Sequence, residues 1–270
     1  MVTDPNKGSE RATDRLRSAA HGKWIDFHTH ILPDMDDGSH SVEESLEMLD
    51  ASTRQGVSCV VLTPHFYAGS DKPDRFLKRR AKSLGALREQ AGADSPLLIP
   101  GAEVQYFSGI TVMDELPQLC IEGTGLLLLE MPFQKWPSRV IDDVLELNSR
   151  QGLQVMIAHF ERYIGAQPRG VLEVLLAHRV LIQANAEFFV NRFSRRRALS
   201  MLKQGCIHLL GSDCHDMQSR PPMLGACMEI IQMKLGAAAA DGIQQRAMGL
   251  LWEREAEAEK VLVSNGMINI

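Results

Sequence analysis

A single α/β domain, seven parallel strands alternating with helices in a TIM-like β/α barrel, is predicted by three features of this 270-residue sequence. Short runs rich in Leu, Ile and Val recur seven times, at residues 24–28, 57–63, 97–103, 126–130, 153–159, 180–185 and 207–213. Several of them, such as Leu126-Leu127-Leu128-Leu129, are apolar without alternation, as strands covered on both faces are. Segments of helical character lie between the runs, and that alternation builds parallel sheets at a length that suits one barrel.

The helices are read in order. Ser41-Val42-Glu43-Glu44 forms a capping box, Val42, Leu46, Leu49 and Thr53 follow at helical spacing, and Gly56 ends the helix. Further helices are expected at residues 73–91, 138–151, 169–178 and 194–204. Residues 223–263 are expected to form one or two more, broken near Gly236 or Gly242. The domain is expected to occupy residues 24–270. Residues 1–23 are polar and charged, and they read as a poorly ordered N-terminal extension that is neither a signal peptide nor an anchor.

Composition excludes several functions. A net charge of −5 leaves no basic footprint, which argues against nucleic acid or an anionic membrane as the main partner. No stretch approaches the roughly 18 apolar residues of a membrane span. Five cysteines form no C-x-x-C pair and read as reduced thiols, placing the chain in the cytoplasm.

What closes each run carries the chemistry. His28 and His30 follow the first run, two apart, so that in an extended strand both imidazoles face one side. His65, Glu103, Glu130 and His159 close the next four runs, and Asp213 with His215 repeats the spacing of two at the last. Taken alone, Glu130 reads as a solvated loop acid, and His65 or His159 reads equally as a core histidine. Together they fall at six of seven strand ends, which a parallel barrel gathers on one face. Imidazoles and carboxylates without a thiolate set suit Mn, Fe or Zn, and there are more donors here than one tetrahedral ion uses. Two or three ions sharing a hydroxide are equipped to hydrolyse phosphate esters.

The motifs His28-Thr29-His30-Ile31-Leu32-Pro33, Asp36-Asp37-Gly38-Ser39, Thr63-Pro64-His65, Gly101-Ala102-Glu103, His159-Phe160-Glu161-Arg162 and Asp213-Cys214-His215 resemble those of the polymerase-and-histidinol-phosphatase (PHP) superfamily. The nearer resemblance is to its bacterial capsule and exopolysaccharide branch, the manganese-dependent protein-tyrosine phosphatases, over about residues 24 to 265. That resemblance implies a distorted barrel of the PHP type with up to three divalent ions, Mn2+ first, with Fe or Zn as alternatives. It implies that His28, His30 and Asp213 hold one ion, with Glu103 bridging to a second that takes Glu130 and His159. The third would take Asp37, His65 and His215, with Asp36 as the alternative to its neighbour Asp37. Arg162 and Arg220 match positions that contact substrate phosphate. Four ligand carboxylates against three divalent ions leave a positive centre that attracts a dianion. The implied substrate is a phosphotyrosine protein, the tail of a bacterial kinase governing polysaccharide export, and homo-oligomerisation is left open.

Three rivals are weighed. Cys214 and Arg220 satisfy the C-x5-R spacing of thiol phosphatases, but no glycine lies between them to form a phosphate loop. Hydrolysis of histidinol phosphate, or of another small monoester, would use the same ions. A non-catalytic, metal-stabilised interaction module is the third. Substrate choice bears on the aromatic residues that follow strand ends, among them Tyr67, Phe133, Trp136 and Tyr163. They are expected either to ring the entrance and hold a phenyl group or to seal the core.

Overall fold

A computed structural model describes residues 24–253. The expected extension at 1–23 and the far end of the last helical stretch, beyond 253, lie outside the described residues. All strand pairings are parallel, and the sheets curl into a half-barrel. Strands β1 (Trp24–Thr29), β2 (Val57–Leu62) and β4 (Leu97–Pro100) form one sheet in the order β1-β2-β4. Strands β3 (His65–Phe66), β5 (Glu103–Gln105), β6 (Leu126–Glu130), β7 (Gln154–Ile157), β8 (Leu181–Asn185) and β9 (Leu209–Gly211) follow one another in the second.

Among the described residues the seven expected runs thus become nine strands. The chain breaks at Thr63-Pro64, where proline offers no N–H to a ladder, so His65 and Phe66 start a separate strand. It breaks again at Gly101-Ala102, which divides the expected 97–103 run into β4 and β5. Hydrogen bonds from Asp213 N–H to His28 O (2.8 Å) and from His30 N–H to Cys214 O (2.9 Å) tie the first run to the last.

Side-chain alternation sorts the sheet into two cores. Leu126 and Leu128 pack with Ile25, Phe27, Cys59, Val61, Met156 and Leu209 on one face, plugged by Leu251 and Trp252. Leu127 and Leu129 pack on the other with Val155, Ile157 and the helix residues Met48, Leu49, Val144 and Leu147. Extending the first set by two residues per step carries Leu128 to Glu130 and Leu209 through Gly211 to Asp213, so the packed interior leads directly into polar residues at the strand ends.

The helices close to expectation are α1 (Val42–Arg54), α2 (Pro73–Gln90), α4 (Ser138–Ser149), α5 (Val171–Ala177) and α7 (Arg195–Lys203). Short helices α3 (Leu116–Leu119) and α6 (Ala186–Val190) are added. The last stretch divides into α8 (Leu224–Leu235) and α9 (Ala237–Met248) at Gly236, whose φ of 91° only glycine adopts readily. At the start of α1 the Ser41 side chain accepts from Glu44 N–H, while the Glu44 carboxylate accepts from His40 N–H, one residue before the position a capping box prescribes. Among the described residues no helix is long and apolar enough to cross a membrane.

Two glycines set how closely the chain approaches the first histidines. A Cβ at Gly211 would lie 2.4 Å from His28 Cβ, and one at Gly38 would lie 2.2 Å from His30 O. Gly211→Ala and Gly38→Ala are each expected to lower the unfolding free energy by about 1–3 kcal/mol, measured by urea denaturation in the presence of a chelator. Unchanged midpoints would show that this packing is looser than drawn.

Candidate metal centre

The site grows out of irregularities at strand ends. In β1 the register against β2 shifts between Asp26 and Thr29, and it is across this irregularity that the chain passes from the packed Ile25 and Phe27 to His28 and His30. Their Nε2 atoms lie 3.0 Å apart, and both rings are fully buried. Among the described residues, two of the four non-glycine positions with positive φ are His159 (φ 31°) and Asp213 (φ 54°). Both sit where a strand run ends and the side chain turns into the same cavity.

Glu103, fully buried, is the centre of the arrangement. Its Oε2 lies 3.1 Å from His28 Nε2, 3.3 Å from His30 Nε2 and 3.1 Å from His65 Nδ1. Its Oε1 lies 2.8 Å from His159 Nε2. Asp213 Oδ1 is 3.5 and 3.4 Å from the same two histidine nitrogens of β1 and its loop. Glu130 stands 3.7 Å from His159 Nε2, and Asp37 Oδ1 stands 3.4 Å from His215 Nε2 and 3.6 Å from His65 Nε2. All nine sequence-predicted donors therefore converge. Among the described residues three sets have donor atoms within 4.8 Å of one another: His30, Asp37, His65 and His215; His28, His30 and Glu103; and His65, Glu103 and Glu130.

Several of these atoms fit a cation better than each other. Glu103 Oε2, His65 Nδ1 and His215 Nε2 are buried and make no hydrogen bond, although they point into the cluster. Burial disfavours charge on Glu103, yet the imidazoles of His28, His159 and His30 outweigh it and hold its carboxyl well below the usual range. Burial likewise opposes charge on Asp213, and His28, His30 and Arg162 overcome it. Burial and the neighbouring Glu103 push Glu130 up to about 7. Burial lowers His65 and His159, and burial with His30 lowers His215 to about 4. Neutral imidazoles facing carboxylates are the donor set of a hard or borderline divalent ion.

The adjacent acids Asp36 and Asp37 separate in the structure. Asp36 Oδ2 accepts from His65 N–H (2.8 Å) and faces His30 Nδ1 (2.7 Å), and Oδ1 accepts from Gly38 N–H (3.0 Å). Both its oxygens are thus occupied in orienting His30 and the loop, whereas the Asp37 side chain is 62% exposed and faces two imidazoles. The arginines stand at the rim. Arg162 donates to Asp213 Oδ2, and Arg220 lies 3.0 Å from Asp37 Oδ2. Cys214, the nucleophile of the C-x5-R reading, is fully buried, and burial pushes its thiol well up, so no thiolate is presented.

The aromatic residues divide. Tyr67 stacks on His65 with centroids 5.1 Å apart, and Phe133 lies near-parallel to His159 at 6.4 Å; both are exposed. Trp136 and Tyr163 are buried, with Trp136 Nε1 donating to Pro132 O, so for these the core-sealing alternative holds. Sequence reasoning missed Gln183 and Asn185, at the end of β8, the run to which it assigned no donor. Gln183 Oε1 accepts from His159 N–H (2.6 Å), and Asn185 Nδ2 donates to Asp213 Oδ2 (2.8 Å). The spacing of two at a strand end, shared with His28 and His30, was the available signal.

Fold and donor set together define a protein whose half-barrel carries a multi-histidine, multi-carboxylate centre of the kind that binds divalent ions. The chain belongs to the capsular polysaccharide synthesis CpsB/CapC family, whose sequence model matches residues 24–251. It is similar to the tyrosine-protein phosphatase CpsB of Streptococcus agalactiae, 28% identical over 231 residues, covering 80% of this chain and 93% of that one. It is also similar to the tyrosine-protein phosphatase YwqE of Bacillus subtilis, 27% identical over 220 residues, covering 79% and 85%. A crystal structure from work on YwqE of Bacillus subtilis and CpsB of Streptococcus pneumoniae, described as unique metal-dependent tyrosine phosphatases, superposes with a TM-score of 0.73 at 24% identity, covering 84% of this chain and 94% of that one.

Asp36 supplies a pH test. Burial opposes its charge, but His30 and the His65 N–H outweigh that and hold its carboxyl at about 2, below the ordinary 3.8. A depressed carboxyl contributes stability that is full above about pH 5 and is lost as the pH falls through about 2. In chelator-treated protein Asp36→Asn is expected to lower the unfolding free energy by on the order of 1–2 kcal/mol near pH 6, with the gap to wild type shrinking toward about pH 3. Urea titrations at stepped pH measure it, and a gap that stays constant would mean that no charged pair exists there.

Proposed function

We propose that this chain is a metal-dependent protein-tyrosine phosphatase acting on a tyrosine-phosphorylated protein in capsule or exopolysaccharide synthesis, such as the tail of a bacterial tyrosine kinase. The observation that carries this reading is the convergence of nine His, Asp and Glu donors, with Glu103 at their centre, at one end of the sheets. The names of the CpsB and YwqE relatives support the substrate class. Counting each split run as one strand gives the distorted seven-stranded barrel we propose, and the bonds joining β1 to the chain after β9 support its closure. The cysteines Cys59, Cys206, Cys214 and Cys227, three of them buried, fit a reducing compartment such as the cytoplasm.

His28, His30 and Asp213 would hold one divalent ion, Glu103, Glu130 and His159 a second, and Asp37, His65 and His215 a third. Mn2+ is the ion we favour, since oxygen and imidazole donors suit it. When bound, such ions supply Lewis acidity and lower the pKa of water, as hydrolysis of a phosphate ester at neutral pH needs. The chain itself does the rest. Arg162, on Asp213, and Arg220, on Asp37, would offer planar, two-pronged donors to the phosphoryl oxygens. Tyr67 and Phe133 are placed to hold a phenyl ring, while Asp36 keeps the His30 ring oriented through Nδ1. A phenolate leaving group, pKa about 10, needs less protonation than an alkoxide, so no strong acid is required at the rim.

The direct test is hydrolysis of a phosphotyrosine peptide by chelator-stripped protein with Mn2+, Zn2+ or Mg2+ restored separately. Activity is expected to return with Mn2+, to fall by about 100-fold or more in Glu103→Gln, and to survive in Cys214→Ser. Activity that resists chelation and dies with Cys214→Ser would overturn the reading. For the aromatic pair, Tyr67→Ala or Phe133→Ala should reduce kcat/KM for the peptide by about 10-fold while leaving a small alkyl phosphate within about 2-fold. Equal losses on both substrates would remove the phenyl clamp.

A further inference from the structure

From the end of β8 we infer a positioning relay, Gln183 to Asn185, that sets the geometry of three donors of the proposed centre; it rests on the metal-site reading above. Both side chains are almost completely buried, and their polar atoms form a chain whose direction has no freedom. The main-chain N–H of His159 can only donate, so the Gln183 atom 2.6 Å from it must be the carbonyl Oε1. That fixes the other end of the amide: Gln183 Nε2 donates to Asn185 Oδ1 at 3.0 Å. Asn185 Nδ2 is then left to donate to Asp213 Oδ2 at 2.8 Å, where a carboxylate can only accept. Neither amide can flip without setting two donors or two acceptors face to face.

The relay touches the donors where they most need holding. Gln183 Oε1 also faces His28 Nδ1 at 3.3 Å, which favours the tautomer with its proton on Nδ1 and leaves Nε2, on the cavity side, as the free lone pair. His159 and Asp213, the two ends of the chain, are held in left-handed backbone conformations, which persist only where the surroundings over-determine them. Asn185 also fixes which oxygen of Asp213 is free, because Oδ2 is taken by Asn185 and Arg162 while Oδ1 turns to His28 and His30. Gly211, with no side chain, lets β9 approach closely enough for the relay to span from β7 to β9, since a Cβ there would also stand 3.0 Å from Gln183 Nε2.

The experiment uses the full chain, stripped with a chelator and titrated with Mn2+ alone against a competing chromophoric chelator. Bound Mn is counted by mass spectrometry, and folding is followed by circular dichroism and thermal melting of the metal-free protein. Gln183→Glu and Asn185→Asp, nearly isosteric, each oppose an acceptor to an acceptor and are expected to weaken Mn2+ binding by about 10- to 100-fold, with one fewer ion retained at limiting metal. Asn185→Ala removes both the donor to Asp213 and the acceptor for Gln183 Nε2 but leaves Arg162 on Asp213, so it is expected to fold, as metal-free melting checks, and to show the same loss of one ion. Combining Asn185→Ala with Gln183→Glu should be no worse than Gln183→Glu alone, as members of one relay are not additive. Folded variants that bind Mn2+ within about 2-fold of wild type would overturn the relay while leaving the metal centre intact. A wild-type chain that takes up no Mn2+ would overturn both.

Discussion

The burial of one carboxylate, Glu103, is the constraint on which the rest depends. A carboxylate moved out of water without compensation is prohibitively unstable, and here it lies at zero exposure at the start of β5. Four imidazoles surround it, from β1 and the loop after it, from β3 and from the turn after β7. They cannot all carry protons, because each charged ring raises the cost of charging its neighbours. Burial pulls His65 and His159 down, whereas the carboxylates at Glu103, Asp36 and Asp213 lift His28 and His30. Protons alone therefore satisfy the centre unevenly, and divalent ions would satisfy it throughout.

That constraint explains features that otherwise look like local defects. The register shift in β1 brings two successive same-side residues into the cluster after an apolar pair that faces the plug of Leu251 and Trp252. The break at Thr63-Pro64 starts a new two-residue strand, so that His65 pairs with Glu103 across β3 and β5. Positive φ at His159 and Asp213 turns two chain reversals inward at the height of the same carboxylate. Each costs regularity, and together they place donors from distant parts of the sequence at the same depth.

Much of this was legible in the sequence, for a physical reason: strand-end residues of parallel runs share one face, so a donor at the end of an apolar run has its location fixed by the run. Glu130 after four leucines is the plain case, and β6 occupies the residues expected for it. A break at Gly236 or Gly242 was legible because glycine weakens a helix, and the choice between them was not: Gly236 takes a φ of 91° while Gly242 lies within α9. The split of residues 97–103 was not, because Gly101 and Ala102 are small and apolar and leave the run looking continuous. Asp36 and Asp37 could not be told apart, since the turn that buries one and exposes the other depends on His65 N–H, far along the chain. Gln183 and Asn185 escaped because amides do not titrate and stood apart from the imidazoles and carboxylates that marked the other strand ends; their role shows in their contacts. Trp136 was left between two readings, because an aromatic after a strand end can ring the entrance or seal the core, and its burial decides for the second.

The site is also graded with depth, which bears on how a large substrate could use it. At the floor, His28, His30 and Glu103 have no contact with solvent; toward the rim, Arg162, Arg220 and Asp37 are progressively wetter. Tyr67 and Phe133 join the two levels, since each lies over an imidazole of the cluster and shows its outer face to solvent. A phenyl phosphate has the matching order, with a dianion leading and a flat apolar ring behind. If, as proposed, a ring settles against Tyr67 and Phe133, it would bear on His65 and His159 through those contacts, so the same groups would select the ring and steady two proposed ligands. An alkyl phosphate would meet the same arginines and the same floor but leave the aromatic faces in water. On the proposed reading, discrimination between the two would therefore come from the rim and chemistry from the floor, and a protein chain would need to insert only one side chain to reach it.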